Sequence, residues 1–282
     1  MVKIVTDSAS DMENDELKTY SVEKIPLAVS FGDKNYLDGE DLFKDEFYRL
    51  LESEKEFPKT SQPSPDAFLE IFERAREAGD SLVVILLSAA LSGTVQSAQI
   101  AKELSGYDDI HIIDSRLVSG GEKVLVIYAA SLRDKGYSAS AIAKEVEKLR
   151  DRSRLAAGLD TLEYLCKGGR LSKTAAGIGT LANIKPIIKL TKEGAVVLAD
   201  KCMGHKSQVK RLIKYPENDG IDYRFPICFL YSQDKGNCEE FMEKMKEAGY
   251  DLSNSCVVNI GPAIGSHIGI GAIGIVYFTQ EE

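Results

Sequence analysis

The chain has 282 residues, 44% of them apolar, a formal net charge of −9 and five cysteines. That supplies a substantial core, in one large domain or two, and the acidic balance argues against nucleic acid or an anionic membrane surface as partner. Cys166, Cys202, Cys228, Cys238 and Cys256 are widely spaced with no CxxC pair, so they read as free thiols in a reducing cytosol.

Met1-Val2-Lys3-Ile4-Val5 enters a strand with no signal-peptide pattern, and no apolar run is long enough to span a bilayer, so a cytoplasmic protein without stable membrane insertion is expected. After that strand comes Thr6-Asp7-Ser8-Ala9-Ser10-Asp11. Small polar residues there either cap the next segment or face a ligand at the carboxyl end of an open sheet. Ile25 to Phe31 reads as a second strand, turned through Gly32-Asp33-Lys34 into Asn35-Tyr36-Leu37 as a hairpin. Asp41 to Glu52 carries Leu42, Phe43, Phe47, Leu50 and Leu51 at helical spacing. Pro58 to Pro65 is an extended loop whose Ser64 and Pro65 open a helix as N-cap and first turn. Phe68, Leu69, Phe72 and Ala75 face inward on that helix, which stops near Gly79. Leu82 to Leu87 is an unbroken apolar run, the mark of a strand buried on both faces. A hydroxyl-rich loop, Ser88 to Thr94, leads into a helix whose inward face is read as Val95, Ala98, Ile100, Ala101 and Leu104. Strand Ile110 to Ile113 ends in Asp114-Ser115-Arg116, and helices Gly120 to Lys135 and Ser140 to Arg152 follow. This alternation predicts an α/β fold with a parallel-sheet α/β/α domain.

Near Arg154 the pattern changes, which places a junction between residues 1–154 and 155–282, within about ten residues. Leu155 to Leu159 begins a strand, and Leu162 to Lys167 is a short helix closed by Gly168-Gly169. Ile184 to Leu190 and Ala195 to Ala199 form a hairpin around Glu193-Gly194. His205 to Lys214 and Cys238 to Ala248 are helices; Pro226 to Tyr231, Cys256 to Ile260 and Ala272 to Phe278 are strands. This suits a second, smaller two-layer α/β domain of mixed sheet.

Three stretches are candidates for binding an anion. A helix start leaves backbone N–H groups unpaired and its dipole end positive, so Ser92 in the loop before Val95 is either an N-cap or an anion ligand. Thr60-Ser61-Gln62 is either turn chemistry or a second set of hydroxyl ligands. Asn259 to Gly271 sets His267 among glycines, which let backbone and imidazole approach a ligand closely. His111 and His205 read as structural. Lys167-Gly168-Gly169-Arg170 either ends a helix with a solvated arginine or presents Arg170 to an anion. Enzyme templates fail. Gly269 to Gly274 has GxGxxG spacing but leads into a strand, and there is no phosphate loop, no GxSxG elbow and no metal-spaced His/Cys cluster. Ser92 and His267 can be paired as nucleophile and base, but no orienting carboxylate can be assigned.

The order and spacing of these stretches resemble the DegV family of bacterial fatty-acid-binding proteins. The marks are Thr6-Asp7-Ser8, Thr60-Ser61-Gln62-Pro63-Ser64, Leu91-Ser92-Gly93-Thr94 with Gln96-Ser97-Ala98, Asp114-Ser115, Leu165 to Arg170, Lys185-Pro186, and Gly261-Pro262 through Gly265, His267 and Gly269. Departures are Ala89 where a second serine is common, Ile270 where proline is common, and a looser Ser119-Gly120-Gly121-Glu122. The resemblance implies a two-domain, non-catalytic lipid-binding protein with a long-chain fatty acid in a tunnel, and neither metal nor cofactor. Thr60 and Ser92 would hold the carboxylate, His267 would join the same network, and Ser61 and Gly93 would assist. Arg170 would stand where phosphate or the partner, a separate ATP-dependent fatty acid kinase, meets the head group. A serine-dependent acyl hydrolase and a carrier of another amphiphilic anion are the alternatives.

Overall fold

The computed structural model describes residues 1–171 and 183–281. Strand β1 (Val2–Asp7) and a 3-10 turn at Ser8–Ser10 open the chain. Then come α1 (Asn14–Thr19), β2 (Val22–Ile25), β3 (Ala28–Phe31), β4 (Lys34–Leu37), α2 (Lys44–Ser53), β5 (Lys59–Ser61), α3 (Pro65–Ala78), β6 (Ser81–Leu86), α4 (Thr94–Ser105), β7 (Ile110–Asp114), α5 (Gly120–Asp134) and α6 (Ala139–Asp151). The remainder runs β8 (Ser153–Gly158), α7 (Glu163–Lys167), β9 (Ile184–Leu190), β10 (Val196–Met203), α8 (His205–Asp219), β11 (Ile227–Tyr231), α9 (Lys235–Glu247), β12 (Ser255–Asn259), α10 (Pro262–Ile268) and β13 (Ile273–Phe278).

Four strands form a parallel sheet in the order β2-β1-β6-β7. Val83 to Leu86 are fully buried within it, as an unbroken apolar run in a sheet covered on both faces requires. Six strands form a mixed sheet, β10-β9-β8-β13-β11-β12, antiparallel except for the pair β11–β12. A small antiparallel sheet joins β4, β3 and β5. α3 and α4 pack on one face of the parallel sheet, and α8 and α9 on the outer face of the mixed one. α5 lies between the sheets, touching β1 and β6 on one side and β11 and β13 on the other. Ile85, Leu125 and Val276 therefore share one apolar core.

Three sequence expectations change. Phe43, read at helical spacing with Phe47 and Leu51, precedes α2 as its N-cap and is exposed. Ile25 to Phe31 is not one strand. Pro26 has no N–H to give to a ladder, and the chain breaks there. Val22–Ile25 stays in the parallel sheet while Ala28–Phe31 leaves for the small one, and the Leu27 N–H is taken by Ser8 Oγ at 3.0 Å. Ile100 and Leu104 point outward, 40% and 63% exposed, while Val95, Ala98 and Ala101 are buried. At ~100° per residue, Ile100 lies ~140° around the helix from Val95, off the inward stripe.

Candidate functional site

Residues of the mixed sheet, and residues just beyond the strand ends of the parallel sheet, line a cavity of about 340 Å³, a usual size for a small-molecule site. Leu155, Ala157, Ile188, Leu190 and Leu230 form the wall on the mixed sheet, with Leu27, Leu87 and Val118 among the residues facing them. Thr60, Ser61, Ser92, Arg170 and His267 also line it. Gly93, expected to assist the same site, is not among the described lining residues. A side chain there would collide with the amide of Gln62, which donates from Nε2 to Ser97 Oγ at 3.0 Å. Gly93 thus leaves room for Gln62 to latch β5 onto the start of α4.

β5 was legible only as an extended loop. It pairs with β3, Thr60 opposite Val29, and the two-residue strand period turns Thr60 inward while Lys59 and Ser61 are exposed. Thr60 Oγ1 lies 2.8 Å from His267 Nε2. His267 sits on α10, a helix that Gly265, the glycines capping both ends and a short length hid from the sequence reading. Its start is held by carboxylates: Asp11 Oδ1 accepts from the Gly261 N–H at 2.9 Å, and Asp38 Oδ2 from the Ala263 N–H at 3.2 Å. Anionic groups belong at that positive end. The glycines admit other parts of the protein. A Cβ on Gly265 would come within 2.6 Å of Phe47 Cε1, and one on Gly168, at the end of α7, would strike His267 Nδ1.

Burial, with the Arg170 charge beside it, pushes the His267 pKa down to about 4. The ring is therefore neutral at pH 7, with one donor and one acceptor nitrogen. When Nε2 carries the proton it donates to Thr60, and the Thr60 hydroxyl is free to donate elsewhere. Nδ1 is buried and has no hydrogen-bond partner among the described residues. Arg170 donates from Nε to Leu91 O at 3.1 Å and from a terminal nitrogen to Gly168 O at 2.5 Å, tying the end of α7 to the loop before α4. Ser92 is not the N-cap of α4; Gly93 takes that place. The Ser92 hydroxyl is half-buried and lies 2.8 Å from Thr94 Oγ1. Thr60, Arg170 and His267 also line an outer depression of about 360 Å³, together with Lys167. The Lys167 ammonium stands 3.5 Å over the Phe57 ring.

Asp7 lies behind the site and clamps two strand ends. Its Oδ1 accepts from the Ala9 N–H and its Oδ2 from the Leu87 N–H, both at 2.9 Å. Burial raises Asp7 and Asp38 to about 7 and Asp11 to about 6. Among the described residues, no helix is long and apolar enough to cross a membrane.

A family model described as the DegV family of uncharacterised proteins matches residues 1–280. A DegV domain-containing protein of Caldanaerobacter subterraneus subsp. tengcongensis is 37% identical over 284 residues, spanning 100% of this chain and 99% of that protein. The chain belongs to the DegV family. Among solved DegV structures, a family protein from Thermus thermophilus, studied for its fatty acid binding, matches at TM-score 0.89 and 31% identity over 99% of both chains. A stearic acid-binding protein from Eubacterium ventriosum matches at TM-score 0.88 and 28% identity, over 99% of this chain and 98% of that one. The DegV fold therefore extends over essentially the whole chain.

Proposed function

We propose that this DegV-family chain buries a long-chain fatty acid in the apolar cavity, with Thr60 and Ser92 holding its carboxylate beside His267. The carrier then presents the head group to a separate ATP-dependent fatty acid kinase, which forms the acyl phosphate. The observation that carries this reading is that Thr60, Arg170 and His267 line both the apolar cavity and the outer depression. An amphiphile spanning them keeps its tail dry and its head within reach of another protein. On this reading residues 1–154 and residues 155–282 contribute opposite sides of the binding cleft. The fatty acid binding of the Thermus thermophilus relative and the stearic acid binding of the Eubacterium ventriosum relative support it.

The energetics agree. A hexadecanoate-sized tail buries about fourteen CH₂ groups at roughly 0.8 kcal/mol each, about 11 kcal/mol gross. That is of the order of the freedom lost on association, so the head group must not cost much. A carboxylate without partners is expensive in a dry site. Thr60 and Ser92 each offer an O–H donor, with His267 Nε2–H supporting Thr60, and Arg170 supplies the opposite charge. Arg170 also stands where a transferred phosphoryl group would arrive.

The hydrolase alternative has less support. His267 Nε2 is engaged with Thr60 rather than Ser92, and among the described residues no carboxylate orients Nδ1. Native mass spectrometry of the purified protein, with its extracted lipid identified, tests the proposal. The expected result is a long-chain fatty acid, bound about 10–100-fold more weakly in Thr60→Ala and in Ser92→Ala, as loss of a hydrogen bond to a charged group dictates. A protein that carries no fatty acid and takes none up overturns the proposal; a different amphiphilic acid in its place supports the other carrier reading.

A further inference from the structure

We propose a second ligand site, a phosphate-binding pocket formed by Arg116, Arg150, Arg154 and Lys192. These four cations line a cavity of about 400 Å³ in which Asp151 is the one carboxylate among the described lining residues. The chain as a whole carries a net charge of −9, so this is a local reversal of sign. Leu155 and Leu190 line both this pocket and the apolar cavity, which makes the two neighbours through a common wall. Arg170 and His267 belong to the apolar cavity and not to this pocket.

The arginines are held in place. Arg150 is 9% exposed and lies 3.6 Å from Glu147. It donates from Nε to Asp151 Oδ1 at 3.0 Å and from a terminal nitrogen to Asp114 O at 3.1 Å. Arg116 donates to the same Asp151 oxygen at 3.2 Å and to Lys192 O at 3.4 Å. Its backbone takes φ 52°, uncommon for a residue with a side chain, and is fixed by its N–H to Asp114 Oδ1 at 2.9 Å. Two guanidinium groups thus share one carboxylate oxygen, while Glu147 beside Arg150 and Glu193 near Arg116 and Lys192 lie outside the pocket lining, which keeps an excess of positive charge. Like charges so arranged repel. A multivalent anion relieves that repulsion and accepts from the planar guanidinium donors, for which phosphate oxygens are a geometric match. Thr191 Oγ1 accepts from the backbone N–H groups of Glu193 and Ala195 and its hydroxyl bonds the Glu193 carboxylate, so the donors for an anion are the guanidinium groups and the Lys192 ammonium. A phosphate dianion or diphosphate fits this donor set better than a monocarboxylate, which has too little charge.

Soluble phosphate compounds and phospholipid head groups both present that chemistry. Isothermal titration with sodium pyrophosphate at low ionic strength reads the first. Co-sedimentation with phosphatidylcholine vesicles containing phosphatidic acid reads the second. Wild type is expected to bind pyrophosphate. Arg116→Gln/Lys192→Gln and, separately, Arg154→Gln are expected to weaken it about tenfold or more, while Lys246→Gln, an exposed lysine on α9, binds as wild type. Melting curves of the ligand-free variants verify folding. Vesicle binding without pyrophosphate binding, lost in Arg116→Gln/Lys192→Gln, assigns the pocket to a lipid phosphate. Failure of both probes, or loss of binding in Lys246→Gln alone, overturns the proposal.

Discussion

At the scale of single residues, the titrating groups around the site work in opposite directions. His267, pushed down to about 4 by burial and Arg170, binds fewer protons folded than unfolded. Its contribution to stability is present above its ordinary value of ~6.5 and is lost as the pH falls through 4. Asp38, raised to about 7 by burial and by Asp11, binds more protons folded than unfolded. Stability from that group is present below ~4 and is lost as the pH rises through 7. Asp38→Asn is therefore expected to flatten the fall in urea midpoint between about pH 5 and about pH 8; an unchanged fall contradicts the assignment. Gly93→Ala is expected to displace the Gln62 amide from Ser97 and loosen Thr60. Loss of one such hydrogen bond, about 1 kcal/mol, weakens fatty acid binding about fivefold in a titration while the melting temperature barely moves. The hydroxyls, His267 and Arg170 were legible as candidates because their residue types stand out at strand ends and helix starts. The Gln62 latch and the Leu91 carbonyl under Arg170 were not. Those contacts join residues 35 and 79 positions apart, and no local pattern announces them.

Elements differ in how far their own sequence decides them. β6 is legible because six consecutive β-branched or leucine residues, Leu82 to Leu87, read as a doubly covered strand. The break at Pro26 has a local signal that the surrounding apolar run outweighs. α10 is the opposite case. Glycine is a poor helix former, so Pro262 to Ile268 reads as a loop; Asp11, Asp38 and close packing against α2 make it a helix. Gly265→Ala tests that account. With Phe47 Cε1 2.6 Å from the added Cβ, overpacking is expected to cost about 1–3 kcal/mol, seen as a lower denaturation midpoint, and to disturb His267. A variant as stable as wild type would show that α10 has slack.

Across the whole molecule, the apolar wall is the part least visible in sequence. Apolar runs in β8, β9 and β11 announce covered faces, but the pattern is the same whether a helix or a hollow covers them. Both general layers were legible; the cavity was implied by the family resemblance and by no local pattern, since its boundary is assembled from residues between Leu27 and Ile268. Ala157→Leu, which adds bulk to the wall, is expected to lower uptake of long chains relative to shorter ones, while the head-group contacts persist. Equal uptake across chain lengths counts against the cavity as the tail's location. Because α5 joins both sheets in one core, circular dichroism and tyrosine fluorescence are expected to report a single unfolding midpoint; two separated midpoints would mean that the sheets come apart independently.

Thr60, Arg170 and His267 form a partition with a hollow on either side. For a cargo that crosses it, chemistry at the exposed end and departure of the hidden end run on separate clocks. The first is set by what docks in the outer hollow, the second by how tightly the inner walls grip. A partner can then alter the cargo without touching its insoluble part, and a chain of the wrong girth is refused by walls that no partner meets.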